Sequence, residues 1–209
     1  DPELSRGLGD VYKRQGFTLK NTIQLVKKIR DYNDNVGIVL MGYIANLYKY
    51  PIRDFVQDIK KSGADAVLVV DAPHELKEEN ELRDALNQNG LSLIKLAAPT
   101  TDDKRLEEIV KISSGFIYQV NVSGVTCVKS ANENDVKNFV KRIKKLTNIP
   151  ICSGFGIKTP DDAKKMANSG CNGIIVGSTF VKYIQDNINA QDLTQRFGIR
   201  VKDFSEVLK

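Results

Sequence analysis

Residues 149–182 read IPICSGFGIKTPDDAKKMANSGCNGIIVGSTFVK and contain one arrangement twice. An apolar segment of strand length, Ile149–Cys152, runs into a glycine loop and then into a helical pattern that Thr159 opens. A second apolar segment, Gly173–Val176, ends at Gly177 before another helical pattern. Short apolar runs that alternate with helices are typical of parallel strands. The stretch therefore predicts two successive strand–loop–helix units.

The same alternation extends back along the chain to Thr18, which is a plausible helix N-cap. The run Val36–Met41 is apolar without alternation, which indicates a strand covered on both faces. The predicted strands are Val36–Met41, Ala66–Val70, Leu91–Leu96, Phe116–Val120, Ile149–Cys152 and Gly173–Val176. The predicted helices are Thr18–Tyr32, Ile52–Ser62, Glu75–Asn89, Thr101–Ser113, Asn132–Leu146 and Thr159–Ser169, and a helical tail begins with Thr179–Asn187.

Strands and helices in this order predict an α/β fold with a parallel sheet. A closed (β/α)8 TIM barrel has eight strands, so we expect an incomplete TIM barrel of about six parallel strands with surrounding helices. Residues 1–15, DPELSRGLGDVYKRQ, have no apolar periodicity. We expect them to be a leader foreign to the partial barrel domain of residues 16–209. A native flexible arm is the alternative.

Composition narrows the classes of function. The 209 residues are 41% hydrophobic and 27% charged, as in ordinary globular proteins. Three cysteines without CxxC spacing argue against a disulfide framework or a zinc site, and they fit a reducing, cytoplasmic location. The sequence has no apolar run of the roughly 20 residues that cross a bilayer. The net charge of +5 is interspersed with acids and lacks interleaved aromatic residues, so we expect no nucleic-acid partner.

The loops after the last two predicted strands are candidates for an anion site. Gly154 and Gly156 let the backbone pass close to a ligand with its N–H groups directed at it. Gly177 and Ser178 occupy the matching place one unit later. Paired loops of this kind form the phosphate site of TIM barrels. Ordinary turn chemistry explains one loop alone, whereas the pair favours phosphate binding.

Other segments have both a functional and an ordinary interpretation. The small, polar segment Asn121–Cys127 predicts a mobile lid, or else a plain surface loop. Asp71 ends a predicted strand at the edge where barrel enzymes keep functional groups, or else it caps the following helix. Pro73 stiffens the same turn. No serine or cysteine nucleophile can be assigned to His74 from the sequence, so His74 is interpreted as a surface residue.

Six segments together resemble the tryptophan synthase alpha subunit family. They cover nearly everything after Gln15, and the order and spacing of SGVT, GFGI and VGS are highly specific among phosphate-binding barrels. The segments are GFTLKNTIQLVKKIR from Gly16, VLMGY at Val39–Tyr43, GADAVLVVDAP at Gly63–Pro73, SGVT at Ser123–Thr126, SGFGIKTPDDA at Ser153–Ala163 and GIIVGSTFVK at Gly173–Lys182.

The resemblance implies a lyase of tryptophan biosynthesis, which cleaves indole-3-glycerol phosphate to indole and glyceraldehyde 3-phosphate. By their positions in the family motifs, Gly156, Gly177 and Ser178 are expected to hold the substrate phosphate, flanked by Phe155. Tyr118 matches the family's tyrosine on the strand that leads to the lid, close to the substrate.

The lid is expected to add further contacts. Its residues are Ser123, Gly124, Val125 and Thr126, of which Thr126 matches the threonine that helps to order the active-site carboxylate on closure. Cys127 follows, and its backbone N–H is available to the phosphate. The family usually has an arginine before SGVT and a glycine after it, where this chain has Val122 and Cys127.

The resemblance also implies a protein partner. In the family, the alpha subunit passes indole through a tunnel to a beta subunit that depends on pyridoxal phosphate, in an α2β2 heterotetramer. Asp71 and Pro73 match the Asp-x-Pro turn that faces the beta subunit. We therefore expect a beta subunit as partner and neither a cofactor nor a metal in this chain.

The family's catalytic carboxylates have no match in this sequence. Its general acid/base glutamate lies on the second barrel strand and its indole-binding aspartate in the loop just after, and both precede the first predicted helix. We therefore expect an N-terminally truncated member without catalytic residues. One alternative is a non-catalytic module that docks on the beta subunit; another is a different phosphate-binding TIM-barrel enzyme, which SGVT disfavours.

The 209-residue polypeptide assayed by itself is expected to bind phosphate weakly at best and to form no indole. The reason is that losing one positioned proton-transfer group costs a factor of roughly 10² to 10⁴ in rate. Indole release from indole-3-glycerol phosphate measures this, with an intact alpha subunit as positive control. A rate near that of the control would contradict the expectation.

Overall fold

The computed structural model describes residues 18–47, 50–71, 76–120, 133–154 and 156–208. The helices are α1 (Leu19–Tyr32), α2 (Ile52–Ser62), α3 (Lys77–Gln88), α4 (Asp103–Ile112), α5 (Glu133–Leu146), α6 (Pro160–Asn168), α7 (Ser178–Asp186) and α8 (Leu193–Glu206). The strands are β1 (Val39–Gly42), β2 (Ala66–Val69), β3 (Ser92–Ala97), β4 (Ile117–Gln119), β5 (Ile151–Ser153) and β6 (Gly173–Ile174). A short 3₁₀ turn, Ile44–Asn46, follows β1.

The sheet follows chain order, β1-β2-β3-β4-β5-β6. Strand β1 pairs with β2 in parallel, with Val39 opposite Ala66, and β2 pairs with β3 in parallel. Strands β5 and β6 are also parallel, with Cys152 opposite Gly173. The predicted α/β class with about six parallel strands is therefore confirmed, and every predicted helix is present within two residues of its expected ends.

The described residues form two compact units. The N-terminal unit contains residues 18–96 and 103–117, and the C-terminal unit contains residues 97–102 and 118–208. The predicted leader, residues 1–15, and the predicted lid, residues 121–127, lie outside the described residues. Within the described ranges, no helix is both long enough and apolar enough to cross a bilayer.

The core of the N-terminal unit lies between β2 and its helices. All four residues of β2 are buried. Helix α2 packs Phe55, Val56 and Ile59 into the same cluster and ends at Gly63, whose φ of 92° is the left-handed conformation of a helix C-cap. At the start of α1, Thr18 forms the predicted N-cap as part of a capping box with Asn21.

One prediction about β1 is wrong. The run Val36–Met41 does not form a strand covered on both faces, because burial alternates along β1. Leu40 packs against the core, while Val39 is 38% and Met41 61% exposed. An uninterrupted apolar run shows only that both faces tolerate burial, and among the described residues nothing covers the face that carries Val39 and Met41.

Arg30 joins three parts of the N-terminal unit at the end of α1. Its guanidinium donates to the carbonyl oxygens of Gly63 and Val36 at 2.7 and 2.9 Å, and it pairs with Asp65 at 2.8 Å. The Asp65 carboxylate in turn accepts from the backbone N–H of Ile38 at 2.7 Å. The planar fork of arginine makes these bonds simultaneously, which holds the turn between α1 and β1 against the end of α2.

The core of the C-terminal unit combines α5 with a smaller cluster near the chain end. Helix α5 buries Val136, Phe139, Val140 and Ile143. The smaller cluster contains Ile157, Ala163 and Phe204, with Phe180 packed against it. The ring of Phe180 meets that of Phe204 edge-on at 5.1 Å between centroids, an arrangement that favours aromatic pairs.

A buried ion pair lies inside the N-terminal unit. Lys95 of β3 pairs with Glu79 in the first turn of α3, and the two residues are 5% and 2% exposed. Glu79 Oε2 has no hydrogen-bond partner among the described residues. A pair of this kind gives little net stability, but either charge left alone in the core is strongly destabilising.

Lys95→Met is therefore expected to lower the free energy of unfolding by about 3 to 5 kcal/mol. Adding Glu79→Leu is expected to recover much of the loss, because no buried charge then remains unpaired. Urea unfolding followed by circular dichroism measures both. The control is Arg83→Met, which breaks the exposed pair with Asp84 and is expected to cost less than about 1 kcal/mol. Equal losses in Lys95→Met and the control would contradict the expectation.

Candidate functional site

Three segments of the C-terminal unit meet at Gly154, directly after β5. A Cβ at this position would lie 2.6 Å from Cβ of Ile175 and 2.8 Å from the hydroxyl oxygen of Tyr118. No side chain fits in that space, so only glycine allows β4, β5 and the chain after β6 to approach this closely. The Tyr118 hydroxyl donates to the Gly154 carbonyl at 3.3 Å. Burial raises the pKa of Tyr118, which keeps its hydroxyl a donor at neutral pH.

A buried polar contact supports this junction through the neighbouring residues, Ser153 just before Gly154 and Gln119 just after Tyr118. The Ser153 hydroxyl of β5 donates to the side-chain carbonyl oxygen of Gln119 on β4, and both residues are 1% exposed. The same hydroxyl oxygen lies 3.1 Å from Sδ of Met166 in α6. Satisfied polar groups in a core define one arrangement of their neighbours. Sequence reasoning missed Gln119 and Ser153, since neither belongs to a motif that predicts packing across strands.

Gly156 needs to be glycine for a different reason from Gly154. No atom of the described residues lies within 4 Å of a Cβ built on it, but its φ is +68°, a conformation that side chains disfavour. The loop then enters α6 through a capping box in which the Asp162 carboxylate accepts from the backbone N–H of Lys158 at 3.1 Å and of Thr159 at 2.9 Å.

The charge of Asp162 is stabilised within this cap. Partial burial acts to raise the pKa of its carboxyl, but hydrogen bonds from the Thr159 side chain and from the two backbone amides, with Lys165 nearby, outweigh the burial and lower the pKa. Asp162 is therefore ionised at neutral pH, and its carboxylate fixes the end of the Gly156 loop where the loop joins α6.

The second loop ends at the N-terminus of α7. Gly177 is the N-cap and Ser178 the first helical residue, and both are exposed. The Gly177 carbonyl accepts from the amides of Phe180 and Val181 at 3.0 and 3.1 Å. The first amides of a helix have no acceptor within the helix, and the helix dipole adds partial positive charge there. An exposed helix start of this kind suits an anion.

The two loops are in direct contact. The hydroxyl of Thr179, one residue after Ser178, donates to the carbonyl oxygen of Ile157, one residue after Gly156, at 2.6 Å. The loop that contains Gly156 therefore contacts the start of α7, where Gly177 is the N-cap and Ser178 the first helical residue. Tyr118 contacts the base of the same loop at Gly154.

Other candidate residues fall outside the described residues. They are Pro73, His74, Phe155, Cys127 and the lid residues Ser123, Gly124, Val125 and Thr126. Asp71 is described and lies just past β2 in the N-terminal unit. The alternative that it caps the following helix is wrong, because the N-cap of α3 is Leu76. Instead, the Asp71 carboxylate accepts from the backbone N–H of Ile44 at 2.7 Å, which ties the end of β2 to the 3₁₀ turn after β1.

An α/β fold with parallel strands and paired glycine loops after its last two strands is typical of phosphate-binding TIM-barrel enzymes. The sequence model of the family "Tryptophan synthase alpha chain" matches residues 11–208. The chain belongs to this family, which is a family of lyases.

Curated relatives agree with the family match. The tryptophan synthase alpha chain of Caulobacter vibrioides is 37% identical over 197 residues, which are 94% of this chain and 70% of that protein. That of Phenylobacterium zucineum is 35% identical over 209 residues, 100% of this chain and 74% of the relative.

Solved structures agree with the predicted TIM-barrel class. A mutant tryptophan synthase alpha-subunit from the hyperthermophile Pyrococcus furiosus has a TM-score of 0.80 at 28% identity, and the match covers 92% of this chain and 76% of that one. Another mutant of the same protein has a TM-score of 0.83 at 26% identity and covers 98% and 80%.

Gly154→Ala is expected to lower the free energy of unfolding by about 1 to 3 kcal/mol, because the added methyl group overlaps Tyr118 and Ile175. Urea unfolding measures the change. Gly198→Ala is the matched control, since Gly198 lies exposed within α8 with open space around its Cα. That control is expected to stabilise the protein by about 0.5 to 1 kcal/mol. Stability equal to the parent in Gly154→Ala would contradict the steric argument.

Proposed function

We propose that this chain supplies the phosphate-binding end of an active site that cleaves indole-3-glycerol phosphate to indole and glyceraldehyde 3-phosphate. Membership of the alpha chain family supports the reaction. The observation that carries the assignment of the site is the contact between the Gly156 loop and the start of α7, which places both glycine loops side by side.

In this proposal, the substrate phosphate is held by backbone amides of the two loops. Among the described residues, no atom lies within 4 Å of a Cβ built on Gly156 or Gly177, which supports close approach of a ligand to both. Ser178 adds a hydroxyl at the helix start, where the dipole favours negative charge. Phe155 flanks the phosphate and Cys127 offers its backbone N–H to it. Amides fixed in place lose little entropy when an anion binds.

Tyr118 is assigned to the substrate side of the Gly154 junction. Its hydroxyl is protonated and donates to a backbone carbonyl, so it is not a phenolate that could accept a proton. In the proposal, the Tyr118 ring lines the site and takes no part in proton transfer. The lid residues Ser123, Gly124, Val125 and Thr126 close over the substrate. Thr126 is assigned to ordering the family's active-site carboxylate, which itself has no match in this sequence. Closure excludes water from the reacting carbons.

The reaction also defines what the phosphate anchor contributes. Cleavage of the bond between the indole ring and the glycerol chain requires a proton on indole C3, removal of a proton from the glycerol hydroxyl, and assistance at the indole N–H. None of these proton transfers takes place at the phosphate. The anchor therefore acts by positioning: binding energy from the unreactive phosphate fixes the carbon–carbon bond relative to the acid and base groups.

The proposal extends to the partner and the cofactor. Indole passes to a beta subunit in an α2β2 assembly in the cytoplasm, and pyridoxal phosphate belongs to that subunit rather than to this chain. Asp71 and Pro73 form the turn that faces the partner. The bond from Ile44 to the Asp71 carboxylate supports this role, because it holds two neighbouring turns of the same edge together as one surface.

Gly177→Asp is expected to weaken phosphate binding at least about tenfold, since a carboxylate placed at the helix start repels the anion. Gly177→Asn is the matched control: the side chains are nearly the same size, so any effect on the backbone is common to both variants. Isothermal titration with inorganic phosphate measures the affinities. Equal affinity in the parent and Gly177→Asp would mean that the phosphate anchor lies elsewhere.

A further inference from the structure

Thr179 makes the hydrogen bond that links the two glycine loops. It is the second residue of α7, it is half-buried, and its hydroxyl donates to the Ile157 carbonyl at 2.6 Å. The donor belongs to the helix whose first amides face the proposed phosphate, and the acceptor directly follows Gly156. The bond therefore connects the two backbone segments that have to converge on one anion.

Ile157 is a fixed point for this bond. Its side chain is 5% exposed and packs with Ala163 and Phe204, and Phe180 of α7 packs against the same cluster. The side chain thus holds the position of the residue, while the Thr179 hydroxyl holds the direction of its carbonyl. Directly after Ile157, the Asp162 carboxylate accepts from the amides of Lys158 and Thr159.

Gly156 lies next to this anchored segment and is free of side-chain constraints. A glycine has more backbone conformations than any other residue, so fixing its backbone has a larger entropic cost. The Ile157 carbonyl shares its peptide plane with the Lys158 amide, which Asp162 holds, so the Thr179 bond ties an already oriented plane to α7. If the Ile157 carbonyl were unbound, this link to α7 would be lost, and the Gly156 loop would have to be ordered against the helix start when the anion binds. A bond that orders the loop beforehand removes this cost from binding.

We propose that Thr179 is a positioning residue for the phosphate site: its hydroxyl fixes the Gly156 loop against the start of α7, so that amides of both loops point to one anion. This inference rests on the proposed function, because it assigns a role within that same site. Thr179 itself need not touch the phosphate.

The variants separate the hydroxyl from the shape of the side chain. Thr179→Val keeps the branched shape and removes the donor, whereas Thr179→Ser keeps the donor and removes a methyl group. Thr22→Val is the matched control in the N-terminal unit, since Thr22 is also a half-buried threonine in the first turn of a helix with its hydroxyl directed at a backbone carbonyl.

The experiment is a titration of each folded variant with inorganic phosphate by isothermal titration calorimetry, with the free energy of unfolding measured alongside. A hydrogen bond with a net value of about 0.5 to 1.5 kcal/mol corresponds to a loss of about twofold to twelvefold in affinity. We expect Thr179→Val to lose affinity within this range, and Thr179→Ser and Thr22→Val to bind as the parent does. Recovery by serine identifies the hydroxyl, which a purely structural effect of the side chain would not do.

The outcomes test the positioning role of Thr179 separately from the proposed phosphate site on which it rests. If the parent binds phosphate, Gly177→Asp does not, and Thr179→Val binds as the parent does, the positioning role is overturned while the phosphate site stands. If the parent binds no phosphate, both are overturned. Should Thr179→Val fail to fold, Thr179→Ala decides in its place, because alanine suits a helix start and also lacks the donor. Parental affinity in that variant overturns the inference.

Discussion

The close approach of three chain segments at Gly154 is the constraint on which the C-terminal unit depends. With Cβ of Ile175 and the Tyr118 hydroxyl both under 3 Å from where a side chain would begin, the backbone itself becomes the packing surface. Parallel strands end at one edge of a sheet, so their loops emerge side by side. Close packing of the strand ends is therefore what brings the Gly156 loop within hydrogen-bond distance of α7.

Polar contacts connect the secondary-structure elements of each unit, and their charge state differs between the two units. The buried Ser153–Gln119 hydrogen bond joins β4 to β5 next to Gly154. Both side chains are neutral and hydrogen-bonded, so burying them costs little free energy. The buried Lys95–Glu79 pair joins β3 to α3 with full charges, which gives little net stability but penalises any arrangement that separates them. Arg30 holds the opposite end of the N-terminal unit through backbone carbonyls and Asp65.

Elements whose ends are set by local chemistry are predicted well from the sequence. Helix α2 has its predicted limits, because an amphipathic pattern ends at a glycine that adopts a left-handed C-cap. Helix α6 begins directly after Thr159, the residue expected to open it, because Thr159 and Asp162 form a capping box there. Strand β6 is shorter than predicted, Gly173–Ile174 rather than Gly173–Val176, because strand length depends on where the neighbouring strand stops pairing. The exposed face of β1 was missed for a similar reason, since burial depends on what packs there.

The sequence by itself determined the order of strands and helices and the family. It also located the two glycine loops that carry Gly156, Gly177 and Ser178, because glycine loops and helix starts are encoded by residues adjacent in the chain. Only the tertiary structure decided that Gly154 has no room for a side chain, that Asp71 holds the turn after β1, and that Thr179 reaches Ile157. Those contacts join residues 21 to 36 positions apart in the chain, and no local pattern specifies which distant carbonyl or side chain a given group will meet.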